Sequence, residues 1–227
     1  MHIGLIGGIG PAATVFYYNR IEQAFASAGA PLHLTIGHTS ALALSQNVAA
    51  GRATEQATEF VRIANQLAAA GADTVAITSM GAHFCAPEFE AQSPLPLIDG
   101  PSAVAQHLAR LGIRRIGILG TRIVMQTCLY GALGAHDPVA PAGEDLIRAD
   151  ADYVAVAIAG RASPEQRERL LAAGDALVRD QGADAVLLGG TDLNLVFDGT
   201  GFDHTVIDSA AAHADAIVTL ARTDPAP

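Results

Sequence analysis

The sequence predicts an α/β protein made of two pseudo-symmetric three-layer halves, each a parallel sheet between layers of helices. Three observations carry this reading. Short apolar runs alternate with longer segments of helical period, the mark of strand–helix–strand crossovers and hence of parallel pairing. The lead-in Gly71-Ala72-Asp73 before "TVAITSMGAH" recurs as Gly182-Ala183-Asp184 before "AVLLGGTDLN". The opening "HIGLIGG" is echoed by "RRIGILGTR" at 114–122.

Taken in order, "HIGLIGG" (2–8) is a strand running into glycine, followed by the helical "ATVFYYNRIEQAFASAG". "LHLTIGHTS" (32–40) is a second strand, and "ATEQATEFVRIANQLAAAG" a helix closed by Gly71, the residue that most readily takes the left-handed conformation after a last turn. "TVAITS" (74–79) and "LPLID" (95–99) are a third and a fourth strand, with a shorter helix after Gly81 between them.

The design then restarts. "SAVAQHLARLG" is a glycine-closed helix leading into the strand at 114–122. "DYVAVAIAG" reads equally as strand or helix. "SPEQRERLLAAGDALVRDQG" is a helix with Ser163 as N-cap, Pro164 at N1 and Gln166 at the capping-box position. It delivers "GADAVLLGGTD", and "TVIDS" (205–209) is the last strand. The halves run over 1–99 and 100–207, with a final helix at 210–222 expected to pack back on the first. Ligands of open parallel sheets bind outside the carboxyl ends of the strands. "TSMGAH" and "GGTDLN" are therefore expected to line one active-site cleft between the halves.

Composition narrows the function classes. Half of the residues are apolar, 16% are charged, and no apolar run reaches the roughly 18 residues of a membrane span. The first residues lack the basic and long apolar regions of a secretory signal, so the expected location is cytoplasmic, with no membrane partner. A net charge of -10 with 13 scattered Lys and Arg disfavours nucleic acid. Cys85 and Cys128 form no C-x-x-C pair, zinc spacing or disulfide framework, so no metal is expected.

Gly8-Ile9-Gly10-Pro11-Ala12-Ala13 fits the glycine pattern of dinucleotide sites. The second strand, however, ends in Gly37-His38-Thr39-Ser40, without the acid that would hold a ribose. Pro11 also removes one helix-start amide. The loop suits a small anion instead, and Gly8, Ile9 and Thr14 are its candidate binding residues.

These segments together resemble the aspartate/glutamate racemase superfamily, most closely its aspartate racemase branch. "GLIGGIGPAATVFYYNRI" resembles the family's opening strand and helix, and "IGILGTRIVMQTCLYGAL" its mid-chain leucine-glycine-threonine stretch. "VLLGGTDL" stands where the family has a leucine-glycine-cysteine-threonine-glutamate motif, and "VIDSAAAHADAIV" matches the closing strand and helix. The resemblance implies a cofactor-independent isomerase of amino acid metabolism, a homodimer, with an interdomain site and a small carboxylate substrate. It also implies a thiol from each half, one taking and one returning the proton at the carbon beside the carboxylate.

Both thiol positions are substituted here. Counting back from His83, the first is Thr78; the second is Gly190, followed by Thr191 and Asp192. A hydroxyl is a poor base without an activating neighbour. Glycine leaves either room for a substrate bulkier than aspartate or a disused site. Thr78, Asp192 and His83 are the catalytic candidates. Asp192 serves as base if burial raises its pKa, or as a helix cap; His83 is an acid/base group or a structural loop histidine. Cys85 is the thiol nearest a strand end, and Cys128 is assigned to a helix core. Substrate contacts implied by the resemblance are Ser79, Gly81, Thr121, Gly190 and Thr191, with Arg148 for a carboxylate and Gln46 as the nearest polar group for a second one. The reaction is open among thiol-free racemisation or epimerisation, a lyase, decarboxylase or cyclase step, and binding alone.

Overall fold

The computed structural model describes residues 1–223. Two compact units emerge. One comprises Met1–Gly100 with the chain from His213 onward, the other Pro101–Ala212.

The first unit contains β1 (His2–Gly7), α1 (Pro11–Ser27), β2 (His33–His38), α2 (Ala41–Ala49), α3 (Ala53–Ala69), β3 (Thr74–Ile77) and the short α4 (Ala86–Glu90). A 3₁₀ turn, Met80–Cys85, precedes α4. The strands form a parallel sheet in the order β2-β1-β3. β1 and β3 are buried along almost their whole length, which is why both read as unbroken apolar runs rather than alternating ones. The sheet packs on α3 through Phe60, Ile63, Ala64 and Leu67. The expected fourth strand at 95–99 shrinks to one bridge, Val75 to Leu97. Val75 N–H donates to Pro96 O and Ile98 N–H to Val75 O. Pro94 and Pro96 have no N–H, so the ladder cannot extend.

The second unit follows with α5 (Gly100–Leu111), β4 (Ile116–Leu119), α6 (Arg122–Gln126), β5 (Pro138–Val139), α7 (Gly143–Ala159), α8 (Pro164–Arg179), β6 (Ala185–Leu188) and β7 (Val206–Asp208). Its parallel sheet has the order β5-β4-β6-β7, the same succession about a central first strand. The ambiguous "DYVAVAIAG" is helix, the second half of α7. Ser163 and Gln166 form the capping box: Gln166 N–H donates to Ser163 Oγ at 3.2 Å and Ser163 N–H to Gln166 Oε1 at 2.8 Å.

The repeated Gly-Ala-Asp has one job in each unit. Gly71 and Gly182 take φ of +92° and +71° to end the preceding helix. Asp73 accepts from His2 N–H at 2.6 Å, and Asp184 from Arg114 and Arg115 N–H at 3.0 and 2.9 Å. Each carboxylate thus latches the returning chain to the start of the central strand. The Arg115 and Arg114 amides hold the Asp184 carboxyl below its ordinary value. The alanines lie under Gly4 and Gly117, where a methyl group would come within 3.3 and 3.4 Å of them. The duplication is a packing device, and it sets the two strand ends at equal distance from it.

The last helix, α9 (Ser209–Thr223), begins in the second unit, and from His213 it belongs to the first. There Arg20 of α1 grips Asp215 through its Nε and Nη2 at 2.7 and 2.8 Å. His213 is fully buried, bonded to Tyr17 Oη at 3.0 Å and to Ile98 O at 2.8 Å. No helix among the described residues is long and apolar enough to cross a membrane.

Candidate functional site

At the carboxyl ends of β1 and β3, the hydroxyls are already engaged. Gly8, at φ +84°, donates its N–H to Thr14 Oγ1 at 2.9 Å. A side chain at Gly8 would run into His38, so the turn is closed from that side too. Thr14 Oγ1 lies 3.2 Å from Thr78 Oγ1, and Thr78 donates to Ile6 O at 3.1 Å. Thr78 is 0% exposed. Its hydroxyl therefore ties β3 to β1 and offers no free oxygen as a base. Ile9 turns into the apolar cluster with Leu44. Thr78→Val is expected to cost about 1 kcal/mol, the net worth of one buried hydrogen bond, because Ile6 O keeps the Thr78 N–H as a partner. Urea denaturation measures it, and a loss several times larger would contradict this assignment.

His83 is equally committed. Its Nδ1–H donates to Ser79 O at 2.9 Å, and its Nε2 accepts Gly100 N–H at 3.2 Å. One partner is a carbonyl and the other an amide, so the imidazole is the neutral Nδ1 tautomer. Burial holds its pKa below the ordinary histidine value, against the nearby Asp99 and the backbone bonds. Of the two roles open to His83, the structure has the loop-bracing one. Ser79 and Gly81 flank it, both half-buried in the turn. Gln46 sits exposed on α2.

Neither cysteine is placed for chemistry. Cys85 is fully buried in the first core, and desolvation pushes its thiol up to about 12. Cys128 was expected in a helix core, but it lies beyond the end of α6 and is half-buried. Cys128, Leu129 and Tyr130 take φ of 50°, 56° and 58°, a left-handed turn that ends the helix before the thiol can enter its core face.

At the carboxyl ends of β4 and β6 the picture reverses. Gly189 N–H donates to Leu119 O at 2.6 Å, and a methyl on Gly120 would meet the Gly189 carbonyl carbon at 3.1 Å. The two loops thus approach closely. Thr121 Oγ1 is buried with no hydrogen-bond partner. Thr191, next to Gly190, is 7% exposed. Asp192, half-buried on the same turn, has its carboxyl raised above the ordinary aspartate value by desolvation. Gly190, the N-cap residue of this turn, has no side chain to cap it, and Asp192 sits inside the turn rather than at its cap.

The space expected at Gly190 is filled. A Cβ there would fall 2.5 Å from the Tyr153 hydroxyl, with ring carbons equally close. Tyr153 is 9% exposed and comes from α7. The room for a bulkier substrate is therefore absent, because an aromatic ring occupies it. Burial and the charges of Asp192 and Asp150 push the phenol well above its ordinary value, so it stays protonated. No signal in the sequence pointed to Tyr153, since nothing local links a helix tyrosine to a glycine of a later loop.

Arg148 lies elsewhere on α7. With Asp145, Ala172, Ala176 and Gln181 it lines a groove of about 450 Å³ between α7 and α8. Gln181 precedes β6, whereas Gly190 follows it, so this groove sits at the opposite end of the strand from Asp192. Among the described residues, no three His, Cys, Asp or Glu side chains form a cluster able to hold a metal ion.

The architecture is shared with solved structures. A candidate Asp/Glu racemase from Yersinia pestis is 27% identical, with 98% of this chain and 100% of that one aligned at a TM-score of 0.86. An aspartate racemase homologue from Pyrococcus horikoshii OT3 has a TM-score of 0.79 at 22% identity, over 97% and 99% of the chains. Picrophilus torridus aspartate racemase has 0.72 at 20% identity, over 98% and 95%. The Asp/Glu/Hydantoin racemase family model matches residues 6–217, nearly the whole chain, and the chain belongs to that family.

Proposed function

We propose that this chain is an enzyme that moves a proton at the carbon beside a carboxylate, in a small or amino-acid-like acid, without a cofactor and without the two thiols. Asp192 is the base. The C–H proton passes to its carboxylate, and the electron pair moves into the substrate's carboxyl group. The observation that carries this is the contrast between the two sets of strand ends. Thr78 and His83 are held by backbone partners, whereas Asp192 is half-buried with a raised pKa. A carboxylate whose pKa is raised is a stronger base than an ordinary one, the direction a proton-abstracting role favours. The likeness to the 27%-identical candidate Asp/Glu racemase from Yersinia pestis supports this class of chemistry. The reading brings with it a homodimer in the cytoplasm and no nucleic-acid or membrane partner.

A second reading draws on the same contrast. With one acid/base carboxylate and no second free group among the candidates, a lyase, decarboxylase or cyclase step needing a single proton transfer fits the site as well as two-sided racemisation.

The test is incubation with D- and L-amino acids and with substituted malonates in deuterated water. Deuterium appearing beside the carboxylate of an amino acid supports racemisation; loss of carbon dioxide with one deuteron gained supports the second reading. Asp192→Asn is expected to lower either rate by about 100-fold or more. Unchanged turnover in that variant removes Asp192 as the base, and no conversion of any substrate leaves a binding protein.

A further inference from the structure

The Tyr153 hydroxyl is the polar group that the proposed reaction leaves without a task. The tyrosine's ring is largely buried beside the Gly190 turn at the carboxyl end of β6, and its hydroxyl has no protein hydrogen-bond partner among the described residues. A hydroxyl with no protein partner, standing where ligands of parallel sheets bind, is open to a ligand.

We propose that Tyr153 contacts the substrate, its hydroxyl donating a hydrogen bond to a carboxylate oxygen of a small acid held over the Gly190–Asp192 turn. This rests on the function proposed above and deepens it, by naming a donor and the ligand group it takes.

Four features support the assignment. The hydroxyl stands 2.5 Å from where a residue-190 side chain would begin, so it faces the turn directly. The helix that carries it is fixed on two sides. Asp150, one turn earlier, accepts Arg122 N–H at 2.7 Å, and Asp152 is gripped by Arg169 at 2.7 and 2.6 Å. A donor held this rigidly needs no reorganisation when charge develops on its partner. The phenol keeps its proton, so it gives hydrogen bonds and is not a second base. Finally, Thr121 adds a second hydroxyl without a protein partner in the same unit. Hydroxyl donors suit a carboxylate, which has two oxygens and accepts only.

The experiment uses the full chain with ¹³Cζ-labelled tyrosine. There are four tyrosines, and Tyr153→Phe identifies the Tyr153 signal by its disappearance. Acetate, malonate and L-aspartate are titrated separately to millimolar levels. The expected result is a saturable shift of the Tyr153 resonance, with the buried Tyr17 unmoved. Binding of the same acid to Tyr153→Phe, followed by calorimetry, is expected to be about tenfold to hundredfold weaker, as for a hydrogen bond to a charged group. A Tyr153 signal indifferent to all three acids overturns the proposal, as does Tyr153→Phe binding within about twofold of the parent. If circular dichroism finds that variant unfolded, Tyr153→Leu takes its place for assignment and the parent titration decides alone. Carboxylate binding through Tyr153 without any turnover would remove the enzymatic reading and leave this one. Turnover undiminished in Tyr153→Phe would do the reverse.

Discussion

Gly190→Cys is expected to destabilise the protein by roughly 2–3 kcal/mol, although it places a thiol where the family resemblance implies one. The backbone is not the obstacle. Gly190 has φ of -137° and ψ of 130°, extended values that any residue adopts. The obstacle is the Tyr153 ring, whose edge already fills the volume of the new side chain. Tyr153 belongs to the second core with Leu119, Met125, Leu188 and Leu193, so it cannot swing aside without opening that cluster. Tyr153→Ala by itself should cost about 3–5 kcal/mol through the cavity it leaves. The two changes combined should cost at least about 1 kcal/mol less than their sum, because each relieves the other. Urea midpoints of the four proteins in the cycle measure this. Additive costs, or a Gly190→Cys variant as stable as the parent, would mean that ring and loop are not a matched pair. A thiol at position 190 is therefore accommodated only if the ring goes with it.

Stability should fall steeply between about pH 6.5 and pH 4, and His213 is the main cause. The ring is fully buried among groups from every element around it. These are Tyr17 on α1, His83 on the 3₁₀ turn 5.9 Å away, and the chain at Ile98 and Asp99. Burial first, and then the neighbouring His83, lower its pKa to about 3, despite the opposing pull of Asp99. His83 is lowered for the same leading reason. The folded state therefore binds fewer protons than the unfolded chain across this window. The stabilisation is complete above the ordinary histidine value of about 6.5. It drains away as pH falls toward the folded value, by an amount on the order of a few kcal/mol. Urea midpoints taken from pH 7.5 to pH 4 should trace the decline, and His213→Gln, which keeps a donor but does not titrate, should flatten it. A parent midpoint constant over that range, or the same slope in His213→Gln, would contradict the assignment.

The elements that positioned the candidate site were readable because their causes are local. Gly71 and Gly182 end helices by a conformation that favours glycine, and Ser163 with Gln166 caps α8 within one turn. Apolar runs of strand length between helical segments imply parallel sheets regardless of what surrounds them. The short bridge at Leu97 marks the limit of that logic. An apolar run predicted a strand there, and two prolines with no N–H to give restricted it.

By itself, then, the sequence determined the repeated α/β plan, the crossovers, the caps, and the absence of cysteine at positions 78 and 190. Only the tertiary structure decided which polar side chains remain available. Whether Thr78 is a base or a tie between strands depends on where Ile6 O and Thr14 lie, and whether His83 is an acid depends on Ser79 O and Gly100 N–H. Gly190 leaves no space because a tyrosine from α7, three elements earlier, has taken it. Hydrogen-bond saturation and filled volume are properties of neighbours brought together by folding, and residue order along the chain does not encode them locally.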